Sequence, residues 1–249
     1  MQFRSIQTII SFLTIIPGPK SYNNDLNTVA SAMHLFPLVG LIIGAVIGGL
    51  AYMISPYFQP LIMAFLVTTA LALLTGLHHT DALADFADGL MTKGEKVTKQ
   101  KAMRDPTVGS AGVMAVILYV VGMIVALSSF HQGIKLFSSI VTAEIIAKFV
   151  MVMQAHRGTS AWYGFSSPFT AAMKNKRKMM IATMTSIASI WFLGAGYFGL
   201  MALSVSLAVA ALIQYLSNQS FGGISGDVMG ASNEITRLSS LMVLSGIMS

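Results

Sequence analysis

Asp81, Asp85 and Asp88 stand within His78-His79-Thr80-Asp81-Ala82-Leu83-Ala84-Asp85-Phe86-Ala87-Asp88-Gly89. On a helix, that spacing gathers three carboxylates within an arc of roughly 60° on one face. Like charges so placed repel by a few tenths of a kcal/mol per pair even in water. No Lys or Arg lies among them, and most residues between them are apolar. The stripe calls for a cation, and oxygen-only ligands select a hard divalent ion such as Mg²⁺ over softer metals. His78, one turn before Asp81, would orient a carboxylate or a phosphate as a neutral imidazole, while His79 points away.

Two other segments carry complementary chemistry. Lys101-Ala102-Met103-Arg104-Asp105-Pro106-Thr107-Val108-Gly109-Ser110-Ala111-Gly112 places two cations before a turn. Pro106 disfavours helix at Asp105. Gly109 and Gly112 then let the backbone approach a ligand at a helix N-terminus, where N–H groups favour phosphate. Arg157 offers bidentate phosphate contact near the end of a long apolar run. Further on, Gly222 and Gly223 form a turn leading into a helix on which Asp227 and Glu234, seven apart, share a face. Two acidic helices facing each other could build a two-metal site for phosphoryl chemistry.

The elements that must hold these residues are membrane helices. The chain has 249 residues, of which 55% are hydrophobic and 10% charged, and its mean hydropathy is +0.73. Soluble domains carry about 25% charged residues. Apolar runs near 35–54, 59–77, 110–130, 134–153, 179–199 and 200–217 suit spans of about 20 residues. A seventh span needs a helix starting back near Asp227. The expected fold is an all-α polytopic bundle of six or seven spans forming one domain over 1–249. A short interfacial or re-entrant helix over 3–16 precedes it, broken at Ile16-Pro17-Gly18-Pro19. Gly40, Gly44 and Gly48 form a small-residue stripe for close helix packing.

Of the 15 Lys and Arg residues, all but Lys135 and Lys148 fall on one face of that topology, including Arg4, Lys20 and Arg237. This places the N-terminus and large loops in the cytoplasm of a cell with the chain in its inner, cytoplasmic membrane. The net charge of +6 is therefore mainly a topology signal, and the expected partner is the lipid bilayer, with no nucleic acid. Cysteine is absent, which excludes disulfides and thiolate metal sites. Glu144 and Lys148 pair at i, i+4 as a neutralised structural pair.

The chain resembles the cobalamin synthase family, the adenosylcobinamide-GDP ribazoletransferases. The family's HLDGLADTADG-like block is matched by His78 to Gly89, its M-K/R-D-x-x-x-G-x-x-G block by Met103 to Gly112, and its GGxTGDxxGAxxE block by Gly222 to Glu234. Phe12 to Pro17 and Phe36 to Gly44 look like its N-terminal signatures. Ala82 stands where the family usually has Gly, and Arg237 where it often has a further acid.

The resemblance implies a Mg²⁺-dependent transferase. α-Ribazole, or its 5′-phosphate, attacks the phosphate of adenosylcobinamide-GDP and displaces GMP. On this reading His78, Asp81, Asp85, Asp88 and Asp227 are catalytic, and Asp81, Asp85, Asp88, Asp227 and Glu234 hold the metal. Lys101, Arg104, Asp105, Gly109, Gly112, Arg157, Gly222 and Gly223 bind phosphate or substrate. A homo-oligomer is left open. The residues alone also allow a CDP-alcohol phosphotransferase-like enzyme or an ion-coupled transporter. The first would want a D-G-x-x-A-R start, which Asp85-Phe86-Ala87-Asp88 lacks. The second would want acids in mid-span, where only Glu144 is expected.

Overall fold

The computed structural model describes residues 2–18, 26–131 and 133–248, without the side chains of residues 2–4. Pro19, Lys20, Asp25 and the side chain of Arg4, which entered the expectations above, lie outside the described residues. The helices are α1 (Gln2–Leu13), α2 (Leu26–Ala32), α3 (Phe36–Ile54), α4 (Pro60–Thr75), α5 (His78–Met91) and α6 (Lys96–Ala102). They continue with α7 (Ser110–Ser128), α8 (Gly133–Arg157), α9 (Ser167–Met173), α10 (Lys176–Leu193), α11 (Gly196–Phe221) and α12 (Gly226–Met248). Among the described residues there is no strand, only an isolated bridge between Ser160 and Ile224.

The all-α membrane bundle expected from the sequence is present. Among the described residues, four helical stretches are long and apolar enough to cross a bilayer: Leu26–Ile54, Ser110–Ser128, Gly133–Arg157 and Gly196–Phe221. The pair α4 and α5 makes a fifth if counted as one broken span. The apolar run at 179–199 is interrupted at Gly194 and Ala195, so its end belongs to α11. Basic residues at its start make α10 less apolar. α12 does begin beside Asp227, but Asn233, Glu234 and Arg237 dilute its apolar character.

Packing is dictated by small residues. A Cβ on Gly40 would come within 2.5 Å of the Glu144 carbonyl oxygen, and one on Gly44 within 2.7 Å of the Val141 Cα. α3 therefore lies directly along α8, as the glycine stripe predicts. α8 is the bundle's axis and is buried continuously from Ser139 to Val152. α12 packs against α8, α11, α5 and α7.

The corner between α4 and α5 sets up the site. Gly76 (φ 65°) ends α4 in the left-handed conformation, with its N–H bonded to Leu73 and that of Leu77 bonded to Ala72. Such a cap stops a helix without leaving its last carbonyls bare. Leu77 is also left-handed (φ 62°), which costs a residue with a Cβ about 1 kcal/mol or more. The chain turns by 91°. α5 consequently runs nearly at a right angle to α4. The N-terminus of α7, the end of α11 at Phe221 and the first turns of α12 pack against it.

Candidate active site

α5 and α12 meet through their smallest residues. A Cβ on Gly230 would sit 2.5 Å from that of Ala82, so the two acidic helices touch where neither carries bulk. This contact brings Asp227, in the first turn of α12, to the aspartate stripe. Burial, with the charges of Asp81, Asp227 and Asp88 adding to it, pushes the Asp85 carboxyl up to about 6. Asp227 is also held above its usual range, mainly by burial. It accepts a hydrogen bond from Ser225 Oγ at 3.3 Å and feels both Asp81 and Arg104.

Asp88 has a different task. Its carboxylate accepts the Gly109 N–H at 2.7 Å and the Gly112 N–H at 2.9 Å. It thereby caps α7 across 21 and 24 residues of chain. The N–H groups that the sequence offered to a phosphate are occupied by this side chain, and the glycines are small because the carboxylate lies against them. Each Asp88 oxygen thus serves one backbone donor at the start of α7.

Glu234 also departs from the expected set. It is 2% exposed, and its Oε2 accepts from Arg237 Nη1 at 2.5 Å. Arg237 Nε donates to Glu144 as well, and Arg237 Nη1 to the Tyr119 hydroxyl at 2.9 Å. Lys148 Nζ lies 3.6 Å from Glu144 and donates to Asn233 at 2.7 Å. Two acids and two bases thus form a buried, neutral cluster. Arg237 is 1% exposed and cannot act as the loop-side topology charge expected of it. Three residues after Glu234, it neutralises the acid that the sequence assigned to metal.

The remaining expected residues sort by position. Arg104 is exposed and stacks over the Trp162 ring at 5.6 Å. Lys101 and Arg157 are exposed on the same end of the bundle. Asp105 accepts from the N–H and hydroxyl of Thr107, which hold its carboxyl below the usual range in a closed local turn. Gly222 (φ 86°) ends α11. A Cβ on Gly223 would lie 2.5 Å from the Thr159 carbonyl, where Ile224 N–H bonds Thr159 and Ala161 N–H bonds Ile224. These two glycines therefore join the α11–α12 turn to the α8–α9 loop.

Beside the acids opens a cavity of about 620 Å³. Arg104, Asp227, His78 and His79 line its polar end, and Phe12, Phe36, Phe165 and Phe169 its apolar wall. Phe12 stacks on Phe165 with centroids 6.0 Å apart, and Phe165 meets Phe169 at 5.6 Å. His79 does not point away: it is 9% exposed, faces the cavity, and its Nδ1 has no hydrogen-bond partner. The sequence reading missed His79 and this aromatic wall. Trp162, Phe165 and Phe169, spaced three and four apart, were the available signal.

As a test for a cation, the donors at Asp81, Asp85 and Asp227 are all oxygens, and their mutual repulsion is unrelieved by a hydrogen-bonded Lys or Arg. That chemistry fits a hard divalent ion. Among the described residues, though, no three His, Asp or Glu side chains stand close enough to hold one as they are placed.

Fold and site together define a polytopic helical membrane protein with carboxylates and an arginine gathered at the mouth of an aromatic cavity. The chain belongs to the cobalamin-5-phosphate synthase family, whose model matches residues 5–245. It is 29% identical to the adenosylcobinamide-GDP ribazoletransferase of Methanocella arvoryzae, covering 98% of this chain and 96% of the relative. It is 31% identical to that of Pyrococcus abyssi, covering 96% and 97%. The Thermoanaerobacter pseudethanolicus enzyme of the same name is 28% identical, covering 97% and 96%. No solved structure matches.

Proposed function

We propose that this chain is a transferase that joins α-ribazole, or its 5′-phosphate, to adenosylcobinamide-GDP and releases GMP. Family membership over nearly the whole chain carries the reading. The site supplies what the reaction needs. A P–O bond to the acceptor's ribose oxygen forms as the P–O bond to GMP breaks, and the acceptor's hydroxyl loses a proton.

Asp85 is suited to take that proton, because burial and like charges hold its carboxyl near 6, closer to neutrality than a free carboxylate. Arg104, at the cavity mouth, would bind a phosphate of the donor with Lys101 nearby. Asp81 and Asp227 carry the oxygen donors that would hold Mg²⁺ beside Asp85. Mg²⁺ so bound would supply charge neutralisation for the diphosphate and the departing GMP. Asp88 and Glu234 contribute to this by fixing α7 and α12 rather than as ligands.

The exposed Lys and Arg of the α5–α7 and α8–α10 connections lie at the site end of the bundle. By the positive-inside rule, that end faces the cytoplasm of a cell whose inner membrane holds the chain. The buried acids support an enzyme over an ion-coupled transporter, since Glu144 and Glu234 are both paired with cations.

The test is to incubate the purified protein with adenosylcobinamide-GDP and α-ribazole, with Mg²⁺ or with a chelator, and to measure GMP. Release that needs both substrates and Mg²⁺ is expected. Turnover of a CDP-alcohol without any GMP from the corrinoid would replace this reading with a CDP-alcohol phosphotransferase.

A further inference from the structure

We infer that the 620 Å³ cavity is the acceptor pocket, holding the flat base of α-ribazole against the phenylalanine wall and its ribose toward Asp227 and Arg104. This rests on the transferase reading and assigns one of its two substrates to a place. Three observations carry it.

The first is size. Pockets of roughly 300–1,000 Å³ enclose ligands of nucleoside scale. The donor, a corrinoid carrying a guanosine diphosphate, is several times larger and cannot be enclosed here.

The second is the distribution of polarity. The base of α-ribazole is a benzimidazole, flat and with a hydrocarbon edge. Guanine, the other base in the reaction, has hydrogen-bond donors and acceptors around its edge. The wall made by Phe12, Phe36, Phe165 and Phe169, backed by Val29 and Met33, offers aromatic faces, and the Ser11 and Ser166 hydroxyls beside it already donate to the Thr8 and Ile224 carbonyls. Ring stacking and edge contacts reward the first base, whereas guanine there would leave buried polar groups unpaired.

The third is the polar end, which Arg104 and Asp227 line. A ribose hydroxyl both donates and accepts, and so meets an arginine and a carboxylate alike. Ribose placed there has its hydroxyls beside Asp227 and within reach of the aspartate stripe.

The experiment is equilibrium dialysis of the full-length protein in detergent with α-ribazole alone, followed by steady-state kinetics. α-Ribazole should bind one per chain without the donor, and GMP should not compete. Phe165, 47% exposed at the mouth, can be cut back with little risk to folding. Phe165→Ala should weaken α-ribazole binding about tenfold and raise its KM, leaving the KM for adenosylcobinamide-GDP within twofold.

Competition by GMP, or a rise in the donor's KM alone, would overturn the assignment. So would normal GMP release with unchanged α-ribazole affinity in Phe165→Ala. The transferase reading fails separately, if α-ribazole binds but no GMP is ever released.

Discussion

Two sets of carboxylates lie within a few turns of each other on α5, α8 and α12, and they have opposite surroundings. Glu144 and Glu234 are buried, and Arg237 and Lys148 meet them with hydrogen bonds or at ion-pair distance. Asp81, Asp85 and Asp227 sit at the open end of the bundle and have chiefly one another for company. The first set is complete within the chain. The second is complete only with something from outside. A carboxylate's residue type and helical face therefore say less about its role than whether a cation of the same chain has reached it.

The contrast can be broken from either side. Asp85→Asn should lower GMP release by about a thousandfold, within the range that positioned acid–base groups contribute. It should not lower the unfolding midpoint of the detergent-solubilised protein, and a variant that unfolds early would place Asp85 with the structural set. Arg237→Met should do the reverse. Stranding the buried Glu234 carboxylate, with Glu144 left to Lys148 alone, costs about 3–5 kcal/mol, seen as a large fall in the unfolding midpoint before any effect on substrate affinity.

Asp88→Ala falls between the two sets. Loss of two bonds to backbone N–H groups at the start of α7 should cost about 1–2 kcal/mol. Turnover should fall with stability, and Asp88→Asn should recover part of both.

The smallest effects are in pH. With the Asp85 carboxyl near 6, turnover should drop about tenfold per unit below that value as its base form disappears. Its stability effect has the opposite direction. A folded-state value above the unfolded one means that the folded chain binds the proton more tightly. Asp85 therefore destabilises the fold progressively as pH rises from about 4 through 6. Asp85→Asn should unfold at a slightly higher temperature than the natural chain at pH 8, with the gap closing below pH 4. A gap that widens in acid would mean that Asp85 is paired after all.

Much of this was legible in the residues. The i, i+4, i+7 aspartates lie on one helix, α5, and the Gly40/Gly44/Gly48 stripe packs as its spacing requires. Gly230 and Ala82 let two acidic helices touch. What was not legible depended on distance along the chain. Nothing near Asp88 announces that its partners are 21 and 24 residues away. Helical spacing turns His79 away from the aspartate face, but it gives the face and not the neighbour that fills it. Glu234 is a different lesson. Arg237, at i+3, is a ready partner by helical spacing, yet the positive-inside count assigns it to a loop and leaves Glu234 to the face it shares with Asp227.

The left-handed corner at Gly76 and Leu77 has a consequence for the lipid around the molecule. At 1.5 Å per residue, the 16 residues of α4 rise roughly 24 Å, short of the ~30 Å hydrocarbon thickness of an ordinary bilayer. Either the bilayer thins beside α4 or the aspartate helix rides below headgroup level. In both cases the carboxylates sit at the bottom of a dimple. A large amphiphilic donor could then settle there from the membrane surface without being enclosed.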